Sequence, residues 1–289
     1  MKFGSLELLC CPVCRGRLSY AGEIENEIIQ GGMLYCGGCN QEYPVKEGIP
    51  RFIKSEKLFG LNKEFEKAYN KISYIYDSHF TKAYLKKRFW PPSGEEKARK
   101  EVVERLEISR YSRVLETGIG SGDNIPCFSE NARKIGLYGL DISIGMLKQC
   151  LRNLKKWKCE AELFLANAEE LPFRDESFDV VFHLGGMNFF NEKKKAVEEM
   201  IRVARPGTKI IIACETEKAI ETNKTGIRFA FGRRLVEKML RFDYKDMRKL
   251  VPDNMLEIRF EQIWEGNGYL IEFRKPVKTV SKRQSVKVS

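Results

Sequence analysis

The stretch Val114-Leu115-Glu116-Thr117-Gly118-Ile119-Gly120-Ser121-Gly122-Asp123-Asn124 decides how this chain is read. An apolar, β-branched run, Arg113-Val114-Leu115, ends in a carboxylate, and three glycines follow at every second position. Glycine there permits positive φ and lets the backbone press against a ligand. A carboxylate ahead of such a loop favours a ligand with hydroxyls and positive charge over one with phosphates. Nineteen residues beyond Gly122, a second strand-like run, Leu137-Tyr138-Gly139-Leu140, ends in Asp141. A carboxylate at the tip of the second strand of an α/β sheet is where a ribose diol is gripped. Glu116 and Asp141 together read as a nucleoside-binding site.

A dinucleotide-binding dehydrogenase is the rival, but its G-x-G-x-x-G fingerprint needs a glycine where Asp123 stands. A carboxylate there repels the pyrophosphate that such a helix N-terminus holds. The E-x-G-x-G-x-G order instead resembles motif I of the class I S-adenosylmethionine (SAM) methyltransferases. That resemblance implies an α/β, Rossmann-like sheet of seven strands with strand 7 antiparallel. It places SAM at Glu116, Gly118, Gly120 and Gly122, with Asp141 on the ribose and Ile142 against the adenine face.

Further along, Glu162 to Ala166 reads as strand 3, Val180-Val181-Phe182-His183 as strand 4 and Lys209 to Ala213 as strand 5. Leu256–Ile263 and Tyr269–Phe273, flanking Glu265-Gly266-Asn267-Gly268, read as a hairpin. Asp123 is expected to cap a helix beginning near Asn124, Ser143 one running to Trp157, and Ser93-Gly94-Glu95-Glu96 to form a capping box. The run Asn167-Ala168-Glu169-Glu170-Leu171-Pro172-Phe173 with Asp175-Glu176-Ser177-Phe178-Asp179 closely resembles the pattern of the UbiE-like family, with Asn167 in place of an aspartate. There Asn167 would accept from the adenine amino group and the Ala168 backbone would pair with a ring nitrogen. Tyr69 to Asp77 resembles the helical lead-in of the same family, which would bring Tyr76 over the SAM pocket. After strand 4 the loop Leu184 to Phe190 lacks the [DN]-P-P-[YF] of amino-group methyltransferases, which argues against exocyclic adenine methylation. If the acceptor needs deprotonating, His183 is the best-placed base, since an imidazole titrates near 6.5; packing at a strand end is its plainer role.

Cys11-Pro12-Val13-Cys14 and Cys36-Gly37-Gly38-Cys39 form two C-x-x-C knuckles with 21 residues between them. Four thiolates in two tight turns make the tetrahedral sulfur set that Zn²⁺ prefers, with no open position, so the metal is structural. Cys10 is read as a bystander and Tyr43 to Pro50 as a closing hairpin. Leu8 to Ile53 resembles the Trm112-like zinc ribbon and the ribbon that opens the rRNA guanine-N1 methyltransferases.

These readings divide the chain into a ribbon (1–53), a helical connector (54–108), a methyltransferase domain (109–275) with a substrate cap (215–251), and a basic, disordered tail (276–289). Net charge is +11, but six of the cations, Arg274, Lys275, Lys278, Lys282, Arg283 and Lys287, fall in the last sixteen residues without an acid. The rest carries about +5, which is compatible with RNA and does not require it. No apolar run approaches the ~20 residues of a membrane span. The first residues lack a signal peptide's apolar core, so the nine cysteines are expected reduced in the cytoplasm. A small-molecule acceptor is favoured by the UbiE-like segments. RNA, with guanine N1 as the target, is the alternative that the ribbon and the Arg228–Arg234 stretch leave open. Oligomeric state is not indicated.

Overall fold

The computed structural model describes residues 1–76, 94–128, 134–222, 228 and 231–277. The N-terminal unit is a four-stranded antiparallel sheet in the order β1-β2-β3-β4: β1 Leu18–Ala21, β2 Gly31–Cys36, β3 Glu42–Lys46 and β4 Ile49–Pro50. The β3–β4 hairpin turns through Glu47 and Gly48, both at positive φ (56° and 74°), as a tight two-residue connection demands.

Among the described residues, two helices follow, α1 (Gly60–Ile72) and α2 (Glu95–Glu104). Helix α2 starts at Gly94 with no side-chain cap. Ser93, the first residue of the predicted capping box, and Asp77, the last of the predicted lead-in, fall outside the described residues. Val102 and Leu106, apolar at helical spacing, are fully buried, which fixes this stretch against the larger sheet.

That sheet has seven strands: β5 Arg113–Thr117, β6 Gly136–Asp141, β7 Glu162–Leu165, β8 Val180–Leu184, β9 Lys209–Glu215, β10 Leu256–Ile263 and β11 Gly268–Arg274. Their order is β10-β11-β9-β8-β5-β6-β7. β5 to β9 run parallel, while β11 is antiparallel to both β9 and β10. The predicted reversal of the seventh strand is therefore present. Parallel strands buried on both faces need near-continuous apolar sequence, and Val180–Leu184 is buried at every position. Helix α3 (Ile144–Trp157) follows β6 and opens on Ser143, whose Oγ accepts from Met146 N at 3.1 Å. Helix α4 (Lys193–Val203) precedes β9.

One expectation is overturned. Among the described residues, Asp123 is followed by a single 3₁₀ turn, Ile125–Cys127, without a side-chain cap. Pro126 removes a donor there, and the Asn124 amide is tied to Glu116 instead of to a helix start.

The ribbon covers the open edge of the sheet. Phe52 N donates to Leu165 O at 2.8 Å, and Cys10 N to Pro172 O at 3.0 Å. Bridges join Arg51 to Leu165 and Leu9 to Phe173. Leu9, Ile29, Tyr43 and Phe52 of the ribbon share one apolar core with Phe164, Phe173 and Phe178. An edge strand that would otherwise present unpaired backbone is thus capped within the chain. Among the described residues, no helix is long and apolar enough to cross a membrane.

Candidate functional site

The sheet reverses its winding between β5 and β8. From β5 the chain moves to β6 and β7 on one side, then returns to β8 and β9 on the other. At such a switch point the loops leave in opposite directions and open a crevice beyond the carboxyl ends of the strands. A cavity lies there, walled by the glycine loop, the tips of β6 and β8, and helix α1.

Of the residues expected at a cofactor, Tyr76, Glu116, Gly118, Gly120, Asp141, Ile142, Ala168 and His183 line this cavity. Gly118 is at φ 74°, and a β-carbon on it would come 3.2 Å from His183 Cε1. Glycine at that position therefore opens the approach between the loop and β8. Gly122 and Asn167 are not in the wall. Gly122 (φ 82°) faces α3, where a β-carbon would meet Cys150 Sγ at 2.9 Å, so its role is helix packing. Asn167 Oδ1 accepts from Glu169 N at 3.0 Å and shapes its own turn.

Glu116 is fully buried. Its Oε1 accepts from Asn124 Nδ2 at 2.6 Å, and its Oε2 has no partner. Burial pushes this carboxyl up to about 8, partly countered by the Asn124 hydrogen bond. Asp141 accepts from Gly120 N at 3.0 Å and Ser143 N at 2.8 Å, and burial raises it to about 6. His183 sits at the end of β8 with Nδ1 2.6 Å from Thr117 O. Burial pushes its ionisation down to about 4, so at neutral pH the ring is uncharged. The role of a base that holds a proton, expected from an ordinary imidazole, does not suit this environment.

Helix α1 roofs the crevice with Phe65 and Tyr69. Phe65 stacks on Phe189 at 3.9 Å between centroids, and Tyr69 meets Phe231 at 5.3 Å and Tyr76 at 6.2 Å. Asn70 anchors the helix, accepting from Ser143 Oγ at 2.7 Å and Gly145 N at 2.8 Å. Ile220 and Met239, from helices α5 (Glu217–Thr222) and α6 (Arg233–Met239), close the other side. Arg233 and Arg234, at the end of the stretch that left RNA open, face solvent, with Arg233 bound to Glu237 at 2.8 Å.

Sequence reasoning missed Arg99, which lines the cavity from α2. It donates to Asn124 Oδ1 at 2.6 Å and pairs with Glu95 at 2.8 Å and Asp123 at 3.7 Å. Nothing in Glu95-Glu96-Lys97-Ala98-Arg99-Lys100 separates it from a solvated charged helix face. Asn188 and Glu215, also in the wall, enter the sequence reading only as part of the loop after strand 4 and as the start of the cap segment.

In the ribbon, the Sγ atoms of Cys11, Cys14, Cys36 and Cys39 all lie within 4.8 Å of one another. Cys11 and Cys39 are 3.5 Å apart and Cys14 and Cys36 3.4 Å. Tetrahedral Zn²⁺ with bonds of about 2.3 Å needs sulfurs roughly 3.8 Å apart, so this set fits the ion. Tyr43 Oη lies 3.0 Å from Cys11 Sγ, a hydroxyl placed to donate to a thiolate. A β-carbon at Gly16 would come 3.1 Å from Cys36 Sγ, so a larger residue there would crowd the sulfurs. Cys10 bonds through its backbone to Pro172 and lies outside the cluster.

A Rossmann-like sheet with its last strand reversed, and a carboxylate-flanked glycine loop at its switch point, defines a methyltransferase-type fold behind a Cys₄ ribbon. Residues 115–212 match the family model described as methyltransferase domain, and residues 2–48 the one described as Trm112p-like protein. The chain thus carries a methyltransferase domain and a Trm112-like domain. It is similar to the demethylmenaquinone methyltransferase of Renibacterium salmoninarum, 34% identical over 40% of this chain and 46% of that protein. It is also similar to the ubiquinone/menaquinone biosynthesis C-methyltransferase UbiE of Wigglesworthia glossinidia brevipalpis, 29% identical over 56% of this chain and 62% of that one. The chain spans about half the length of the first curated relatives it matches. Among solved structures, the complex between the Haloferax volcanii Trm112 methyltransferase activator and the putative methyltransferase aligns at TM-score 0.53. The match is 17% identical and covers 75% of this chain and 98% of that chain, a likeness of fold.

Proposed function

We propose that this chain is a SAM-dependent methyltransferase that acts on a small-molecule acceptor, with the ribbon as a structural zinc cap. The observation that carries the reading is the buried, unpartnered Glu116 Oε2 at the glycine loop, beside a second, half-buried carboxylate, Asp141. A buried acceptor without a donor is costly, and a cationic nucleoside supplies both the donors and the positive charge that these two groups lack.

The fit sets the roles. Glu116 and Asp141 hold the cofactor, Gly118 and Gly120 admit it, and Ile142, Ala168 and Tyr76 bound it. When bound, SAM supplies an electrophilic methyl group for in-line displacement. The protein's contribution is alignment and exclusion of water, worth several powers of ten without an acid or base. Phe65, Tyr69, Phe189 and Phe231 provide an apolar enclosure suited to a compact organic acceptor, and among the described residues no ribbon residue lines it. Four cysteines in a metal set and five more outside any disulfide support a reducing, cytoplasmic setting. The division at 53, 108 and 275, with 215–251 as cap, is part of the same reading.

Two experiments test it. Calorimetry should give SAM binding that Asp141→Ala or Gly118→Arg abolishes while the circular dichroism is unchanged; retained affinity sinks the site assignment. Methyl-labelled SAM with a heat-treated cell extract, split and treated with RNase, should label a low-mass, RNase-resistant fraction. Label in RNase-sensitive polymer would make the chain an RNA methyltransferase and overturn the small-molecule reading.

A further inference from the structure

The residues that grip the turn after β7 are the neighbours of the ribbon's first pair of sulfurs. Cys10, just before Cys11, donates through its N–H to Pro172 O at 3.0 Å, and Leu8 O accepts from Arg174 N at 2.8 Å. Arg15, just after Cys14, donates to Leu171 O at 2.9 Å and to Glu199 Oε1 at 2.7 Å, and Glu199 in turn accepts from Leu171 N. That turn begins at Ala166 and Ala168, which line the cavity. At its middle, Glu169 accepts from Asn62 Nδ2 of the roof helix α1 at 3.0 Å. Contact therefore runs without a break from the knuckle through the turn to the roof.

The sulfurs themselves are unequally protected. Cys11 and Cys36 are buried, and Cys11 has the Tyr43 hydroxyl beside it at 3.0 Å. Cys14 is exposed, as is Val13 next to it at 65%, so this corner of the cluster faces solvent. Across the two knuckles Cys36 Sγ lies 3.4 Å from Cys14 Sγ, and Cys39 Sγ 3.5 Å from Cys11 Sγ. An accessible thiolate with a second thiol in contact is the arrangement of a redox-sensing cysteine pair. The other exposed thiol, Cys159, lies outside the cluster.

We infer that the ribbon is a peroxide-sensitive switch on cofactor binding. The Cys14 thiolate attacks hydrogen peroxide, which leaves a sulfenic acid on Cys14 and releases hydroxide. The Cys36 thiolate then attacks that sulfur, forming the Cys14–Cys36 disulfide and displacing a second hydroxide. A second peroxide joins Cys11 to Cys39 in the same way, each peroxide taking two electrons from two thiolates. A sulfur in a disulfide is no longer a thiolate and does not ligate a metal. The first knuckle then loses both its Zn²⁺ and its fixed shape, and with them go the holds of Arg15 on Leu171 and of Cys10 on Pro172. The turn that walls the cavity slackens and cofactor affinity falls. That last step rests on the cofactor reading of the cavity, whereas the chemistry at the sulfurs stands apart from it.

The test treats the full-length, zinc-loaded protein with hydrogen peroxide. Released Zn²⁺ is read with a chromogenic chelator, free thiols by titration, new disulfides by peptide mass mapping and S-adenosylhomocysteine affinity by calorimetry. Zn²⁺ release should keep step with the loss of the four cluster thiols, leaving Cys10, Cys127, Cys150, Cys159 and Cys214 free. The mapped bonds should be Cys14–Cys36 and Cys11–Cys39, and affinity should fall at least about fivefold. A dithiol supplied with Zn²⁺ should restore the thiols, the metal and the affinity. Cys159→Ser should respond as the unsubstituted chain does. Arg15→Met should keep its zinc, bind S-adenosylhomocysteine more weakly from the start and lose little more on oxidation. Retained zinc, or oxidation that spares Cys14, overturns the sensor. Affinity that survives zinc loss, or that a dithiol and Zn²⁺ fail to restore, overturns the switch. If the untreated protein binds no S-adenosylhomocysteine, the methyltransferase reading fails and the switch with it, while the zinc and disulfide readouts still decide whether the ribbon is the oxidised site.

Discussion

Glu116 combines complete burial with a carboxyl raised from 4.5 to about 8, burial being the cause. Folding therefore takes up a proton between those values. The stability this contributes is fully present below about pH 4.5 and is lost as pH rises through about 8. The ligand-free protein should melt at progressively lower temperature from pH 5 to 8, and Glu116→Gln should flatten that trend. A cationic cofactor prefers the ionised carboxylate, so SAM binding should release a proton and tighten up to about pH 8, then level off. Calorimetry in buffers of different ionisation enthalpy reads this directly; a pH-independent affinity would remove Glu116 from the cofactor's surroundings. Gly122 makes a second, independent point. Its φ of 82° and the 2.9 Å approach to Cys150 Sγ leave no room for a side chain. Gly122→Val should cost about 2–4 kcal/mol in urea unfolding, from overpacking and backbone strain together.

Between elements, a polar junction joins the ribbon to α4 and to the turn after β7. Arg15, the residue after Cys14, donates to Leu171 O at 2.9 Å and to Glu199 Oε1 at 2.7 Å. Glu199 also accepts from Leu171 N at 2.9 Å and pairs with Arg202 at 2.8 Å. Burial alone would raise the Glu199 carboxyl, yet Arg202 and Arg15 hold it below its ordinary value. Its stabilisation is thus present above the usual carboxylate range and lost as pH falls through the lowered value. Glu199→Ala leaves Arg202 short of its buried partner and should cost about 2–4 kcal/mol by denaturant unfolding, with less loss at acid pH than at neutrality. An equal cost at both pH values would mean that packing, not charge, is what Glu199 supplies.

For the molecule as a whole, the ribbon is part of the architecture of the seven-stranded unit. It shares a core with the large sheet and pairs with the edge strand that leads to Ala166 and Ala168 in the cavity wall. A structural Zn²⁺ supplies about 10–16 kcal/mol to small isolated modules, so its removal should not stay local. Chelation, or Cys36→Ser, should lower the melting temperature of the full chain and weaken SAM binding, although no cysteine ligand lines the cavity. Unchanged SAM affinity in metal-free protein would show that the ribbon is only an appendage.

Much of this was already carried by local pattern. Glu116, Gly118, Asp141 and the four ribbon cysteines are marked by residue type and spacing, because a strand tip, a tight glycine turn and a metal knuckle are each built from a few consecutive residues. The seven strands and the reversed last strand followed from the sequence of elements and from the family resemblance, while their order came from the structure. Asn167 and Gly122 matched the same pattern, yet the fold turned one into its own loop and the other against a helix. Arg99, Asn188 and Glu215 reach the cavity from separate segments, and no sequence window contains the surface they share. The sequence by itself determined the sheet, the metal knuckle and the cofactor end, since these depend on neighbours along the chain. Only the tertiary structure decided which polar atoms are buried without a partner. Burial and hydrogen-bond satisfaction are properties of neighbours in space.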